Sequence, residues 1–156
     1  MKYISHAARN IALVIGATLA IGGMAAAATK NTTVTVTLWD KSNGTMGMIL
    51  SANELKAGEV TFDVANTSAT MQTHEFLVMP TRLTQEQLTT AEFATEEDGT
   101  KLDEKKLGQV HELDEDLAPG KSGKLTLALK PGRYLVLCNQ PGHFMAGMRQ
   151  IITVTP

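Results

Sequence analysis

Residues 132–154 read GRYLVLCNQPGHFMAGMRQIITV, two apolar runs separated by a loop that begins at the chain's only cysteine. In the first run the period of two puts Tyr134, Val136 and Cys138 on one face, so the thiol stands at a strand's end. Pro141 and Gly142 then turn the chain sharply before His143, and Gly147 allows a second tight approach before Met148. A thiol, an imidazole and a thioether therefore share one short loop, carried between the two strands of a last hairpin.

Upstream, the same alternation recurs. TTVTVTLWD (32–40) sets Val34, Val36 and Leu38 against Thr33, Thr35 and Thr37, and Gly58 opens EVTFDVANTS with Val60, Phe62 and Val64 on one face. THEFLVM (73–79) is a short apolar run ended by Pro80, and KLTLALK (124–130) turns Leu125, Leu127 and Leu129 inward before Pro131-Gly132. With one further strand near Gln109–Leu113, the pattern gives about seven short strands and predicts an all-β fold, a Greek-key antiparallel β-sandwich. One short helical excursion interrupts it. Thr84 is its N-cap, with Gln87 three residues on and Leu83, Leu88 and Phe93 at loosely helical spacing. The acidic stretch behind it, ATEEDGTKLDEKKLG (94–108), is expected to be solvated.

Residues 1–28 read as a secretory leader: Lys2 and Arg9 precede an apolar run from Ile11 to Gly23, and small residues offer cleavage near Ala27 or Ala28. The remainder, 29–156, is expected to be one domain, periplasmic or secreted, with no membrane span once the leader is cleaved. In an oxidising compartment a lone cysteine has no intramolecular partner, and it escapes oxidation only if buried or metal-bound. After Ala28 there are 12 basic and 16 acidic residues, a net of −4. That argues against nucleic acid, which needs a basic patch. Residues 81–118 hold 11 acidic and four basic residues, so this segment is −7 and the rest is +3.

The loop's three donors want a fourth, and His74, at the head of HEFLVM, is the candidate. Two imidazoles and a thiolate with a weak axial thioether describe a copper electron-transfer site, because the sulfur ligands favour Cu(I) while imidazole also suits Cu(II). Each residue has a plainer reading beside this one. A lone cysteine is commonly a small buried hydrophobe, or it can be a catalytic thiol, though nothing here supplies an oxyanion site. Zinc prefers a closed tetrahedral shell without thioether. His111 sits among acids as a surface ion-pair partner. Met145 competes with Met148 but follows His143 by only two residues. Met46 and Met48 pack the sandwich's end, or join Phe144 and Met145 in an apolar patch beside His143, or form with Met71 a thioether-rich second Cu(I) site.

With Cys, His and Met in order as C-x4-H-x4-M, this ending resembles the last hairpin of the cupredoxin family, the type 1 blue copper proteins of the plastocyanin, azurin and rusticyanin kind. The likeness runs from about Thr32 to Thr155, the 81–118 segment apart. It implies one type 1 copper per chain, with His74, Cys138 and His143 equatorial and Met148 axial. It also implies a monomeric electron carrier, not an enzyme, cycling Cu(I) and Cu(II) between transient redox protein partners. The alternative is a periplasmic copper-binding or copper-homeostasis protein without a dedicated electron-transfer role. A multicopper enzyme would need further histidines, and only His74, His111 and His143 follow the leader. Many members carry a small polar residue, often Asn, after the first histidine to tie the ligand loops together. Here Glu75 stands there, either tuning the potential with pH or pointing to solvent.

Overall fold

The computed structural model describes residues 31–156; the expected leader, residues 1–28, lies outside them. Among the described residues nine strands form two sheets. The first contains β1 (Thr32–Asp40), β2 (Met46–Leu50), β4 (Gly58–Asn66) and β7 (Ser122–Leu129), in the order β2-β1-β4-β7. The second contains β3 (Glu54–Lys56), β5 (Leu77–Thr81), β6 (His111–Glu112), β8 (Gly132–Leu137) and β9 (Arg149–Thr155), in the order β3-β9-β8-β5-β6. The all-β sandwich is as expected, but its sheets are mixed: β1 runs parallel to β4, and β3 runs parallel to β9. β3 lies in the stretch from Met46 to Lys56, in which no strand was expected, and the same stretch carries the crossover that makes β4 parallel to β1. There Gly47 lies opposite Trp39, and a side chain on it would come within 2.8 Å of the indole ring. The glycine that hides the strand pattern is the one that lets β2 lie under the tryptophan.

The space between the sheets is filled as the alternation requires. Val34, Val36, Leu38, Val60, Phe62 and Val64 from one sheet meet Phe76, Val136, Cys138, Met148 and Ile152 from the other side. The Phe62 and Phe76 rings lie 5.4 Å apart. Each side chain of this size, fully buried, contributes about 1.5–3 kcal/mol.

A strand that is apolar at every position needs cover on both faces. The run Tyr134-Leu135-Val136-Leu137 is such a strand, and Leu135 and Leu137 turn away from the sandwich interior. Together with Leu77 and Met79 they are closed over by Leu88, Leu102 and Phe144, with Leu83, Phe93, Leu107 and Val110 partly buried around them. The 82–110 segment is therefore a third layer, because the outer face of β5 and β8 would otherwise be wet, and the 94–108 stretch expected to be solvated contributes Leu102 and Leu107 to it. Pro80 lies inside β5 and does not end it. β6 pairs only with Leu77 and Val78, so from Met79 onward that side of β5 is an open edge, where a residue without an N–H is tolerated.

The expected capping box is present: Thr84 N–H donates to Gln87 Oε1 at 3.0 Å, and Gln87 N–H donates to Thr84 Oγ1 at 3.2 Å. The helix behind it is only a 3-10 turn, Gln87–Thr89. Thr89 and Thr90 hydroxyls donate back to the carbonyls of Glu86 and Gln87, competing with helix propagation. A second four-residue helix, α1 (Glu104–Leu107), follows. No helix among the described residues is long and apolar enough to cross a membrane.

Candidate metal centre

Cys138 lies one residue beyond β8, fully buried, and its position is fixed from both sides of the loop. Its N–H donates to Met148 O at 3.0 Å, and Met148 N–H donates to His143 O at 3.1 Å. Between them Pro141 and Gly142 form a tight turn closed by His143 N–H donating to Gln140 O at 2.9 Å, with Gly142 at φ 80°. A positive φ after proline is the signature of a type II turn. Gly147, at φ 110°, bends the chain again just before Met148. Met148 is buried in the same core as Cys138, whereas Met145 is 51% exposed.

His74 arrives on the connection from β4 to β5, three residues before the strand that neighbours β8. It lies outside β5, held by two backbone hydrogen bonds to Leu117 of 3.0 and 2.8 Å. The loop before it is built from side-chain bonds to backbone: Asn66 Nδ2 donates to Gln72 O and to Leu117 O, and Ser68 Oγ accepts from Gln72 N–H. Short polar side chains do this wherever the chain must turn without a ladder. Met71 in this loop takes φ 66° and stands 77% exposed.

The donors converge. His74 Nδ1 lies 3.2 Å from His143 Nδ1; Cys138 Sγ lies 3.4 Å from His143 Nδ1 and 3.9 Å from His74 Nδ1. Cys138 and His74 are fully buried and His143 is 7% exposed, so one donor alone reaches solvent. Burial pushes the Cys138 thiol up to about 12, although the Gln140 and Glu75 backbone N–H groups draw it down. Burial also lowers both histidines, against the pull of Asp40, so both rings are neutral at pH 7. Two neutral imidazoles and a buried thiol packed together make a donor set suited to a thiophilic metal.

The surroundings hold groups that the sequence reading passed over. Asp40, at the end of β1, is buried and accepts from His74 Nε2 at 3.2 Å; its other oxygen accepts from Thr70 N–H at 3.0 Å and the Thr70 hydroxyl at 2.6 Å. Burial would raise its pKa, but hydrogen bonds from Ser68, Thr70 and His74 hold it below the usual carboxylate range. Its signal was legible, since Asp40 continues the inward series Val34, Val36, Leu38. Asn139, fully buried beside the thiol, pairs with Leu102 in both directions, Oδ1 accepting from N–H at 2.8 Å and Nδ2 donating to O at 3.2 Å. Asn139 Nδ2 also donates to Glu104 Oε1 at 2.6 Å, and Gly142 N–H donates to Thr100 O at 2.7 Å. Residues 100–104 thus support the loop directly.

Glu75 does not point to solvent: its side chain is 14% exposed. Its carboxylate accepts from Gln140 Nε2 at 2.8 Å and lies 3.6 Å from Lys101 Nζ, so it ties the two loops together as the small polar residue of relatives would. Its backbone N–H donates to Cys138 Sγ at 3.3 Å. Burial raises its carboxyl, Lys101 pulls it back, and Asp116 and Glu104 push it up again. Phe144 is not part of an exposed patch: it is buried under Phe93, ring centroids 4.9 Å apart, with the Arg149 guanidinium 4.6 Å over its face. Met48 belongs to the core with Met46 packed against it. His111 bonds only to Gln109 among the described side chains, makes no ion pair among them, and does not belong to the buried donor cluster.

Comparison with known proteins agrees with this geometry. The sequence model of a family described as copper binding proteins, plastocyanin/azurin family, matches residues 42–155. Auracyanin-B of Chloroflexus aurantiacus is 49% identical over 41 residues, 26% of this chain and 17% of that protein's length. Rusticyanin from Thiobacillus ferrooxidans superposes with a TM-score of 0.59 at 16% identity, over 81% of this chain and 78% of that one. Auracyanin B superposes with a TM-score of 0.51 at 21% identity, over 82% and 91%. At these identities the two structures speak for the fold.

Proposed function

The chain belongs to the plastocyanin/azurin family of copper binding proteins, and on that premise we propose that it is an exported electron carrier whose single copper is held by His74, Cys138, His143 and Met148. The family and the buried cluster of His74, Cys138 and His143, with Met148 nearby, fit one type 1 copper. The observation that carries the reading is this convergence of two Nδ1 atoms and one Sγ. Bound there, copper supplies a one-electron Cu(I)/Cu(II) couple. The chain's own residues do the rest. Asp40 and the loop hydrogen bonds hold the donors in one arrangement, which keeps the change in geometry on electron transfer small. Cys138 and His74 exclude water, and His143, the one donor with exposed surface, is the exit for the electron.

Redox partners would dock transiently at His143. Asp116 and Glu104, bonded through Gln140 and Asn139 to the ligand loop, place negative charge beside that exit and favour a positive partner surface. The protein is read as a monomer without enzymatic activity, periplasmic or secreted on the strength of the leader expected at residues 1–28. Copper titration of the protein followed by visible absorption and electron paramagnetic resonance tests the reading. An intense thiolate band saturating at one copper, with rapid self-exchange, is expected. Saturation at several coppers with sluggish exchange would indicate copper storage instead.

Because the copper-free thiol has its pKa at about 12 while metal binding requires thiolate, loading at pH 7–9 should release one proton per copper, and the apparent affinity should rise about tenfold per pH unit. The neutral histidines add none. A weakly buffered titration with a pH indicator measures this directly; release of no proton would mean that Cys138 stays a thiol. Met148→Leu should keep the copper and the colour but raise the potential by more than about 59 mV, the one-electron equivalent of tenfold, since loss of a weak axial donor disfavours Cu(II). Voltammetry of the two proteins decides it.

A further inference from the structure

We propose that Asp40 is a positioning residue for the copper: its carboxylate holds His74 as the Nε2–H tautomer and, through that ring, lowers the reduction potential of the centre. This rests on the ligand role given to His74 above. Asp40 is 3% exposed, and among the described residues it has no Lys or Arg partner. Thr70 N–H and hydroxyl donate to Oδ1 and Ser68 also donates to the carboxylate, while His74 Nε2 lies 3.2 Å from Oδ2; a carboxylate can only accept, so Nε2 is the donor there. With Nε2 committed to Asp40, the lone pair of His74 is on Nδ1, the atom that faces Cys138 and His143.

An imidazole that donates to a carboxylate gains imidazolate character, so its other nitrogen becomes the stronger ligand. Stronger donation stabilises the more highly charged Cu(II). The carboxylate is buried, so this charge is screened far less than one on the surface. Thr70 works in the opposite sense. Its hydroxyl, at 2.6 Å, draws charge from the carboxylate and moderates what reaches His74.

The two effects carry opposite signs, which makes the proposal testable on the folded holoprotein. Asp40→Asn keeps the size and an oxygen acceptor for Nε2–H while removing the charge; the potential should rise, with copper stoichiometry and the thiolate band kept. Thr70→Val should give a smaller downward shift. In the copper-free wild type, nitrogen-15 NMR should show His74 protonated at Nε2. The proposal is overturned by an Asp40→Asn potential at or below wild type, by both variants moving together as loosened packing would have them, or by a proton on Nδ1. A wild-type protein without the thiolate band would sink the ligand reading itself, and this inference with it; a normal band with an unmoved potential sinks the role of Asp40 alone.

Discussion

Cys138→Ser should remove the intense visible band completely while leaving the sandwich folded. The colour of such a site comes from charge transfer between thiolate sulfur and Cu(II), and a serine hydroxyl at neutral pH offers neither the sulfur nor the negative charge. The substitution is gentle on the fold: the side chain is nearly isosteric, and the new hydroxyl has His143 Nδ1 within reach of the position now held by Sγ, 3.4 Å away. The cost in stability should stay within about 1–2 kcal/mol. Far-ultraviolet circular dichroism would confirm the fold and a copper titration would read the loss. A serine variant as strongly coloured as wild type would place the chromophore elsewhere and end the ligand assignment.

Asn139→Ala should be the most damaging substitution that touches no proposed ligand. Leu102 is fully buried, and its N–H and C=O are both partnered by the Asn139 amide, which also donates to Glu104. Truncation leaves buried backbone groups without partners, at about 1–3 kcal/mol each. We expect a loss of about 3 kcal/mol and a fall in melting temperature on the order of 10 °C. The 100–104 stretch should also loosen from the loop, so the hyperfine lines of the copper spectrum should broaden. A variant within about 1 kcal/mol of wild type, with unchanged lines, would show that Leu102 finds other partners and that the third layer does not support the site.

How far the sequence reaches is clear from these residues. The inward faces of β1, β4 and β8 follow from a period of two, and so does Cys138 on the interior side of the last hairpin. The clustering of His74 with Cys138 and His143 was also legible, because donor type and spacing restrict the options more than backbone pattern does. The strand from Met46 to Leu50 was hidden because Gly47 serves a ring on the neighbouring strand, a reason no local window contains. The third layer was hidden for a similar reason. Its charges outnumber its apolar residues, yet Leu88, Leu102 and Phe93 suffice to cover Leu135 and Leu137, and only the neighbouring strand says that they must. Asp40 was missed although the alternation of β1 points it inward, since an acid at a strand's end reads as a solvated stop unless a histidine 34 residues later is known to lie against it.

The place of β9 between β3 and β8 has a consequence for how this protein is made. Residues 149–155 pair in parallel with residues 54–56 on one side and with the adjacent hairpin strand on the other. The second sheet therefore cannot close until residues 149–155 are available: the β3–β9 partners, such as Glu54 and Thr153, lie about a hundred residues apart, and the β5–β8 partners, such as Leu77 and Leu137, about sixty. Such non-local pairing predicts folding in roughly the millisecond-to-second range. The donors inherit that timing. Cys138, His143 and Met148 lie together in one hairpin from the start, whereas His74 joins them only when the sandwich is complete, so a newly made chain can present three soft ligands before it has the fourth.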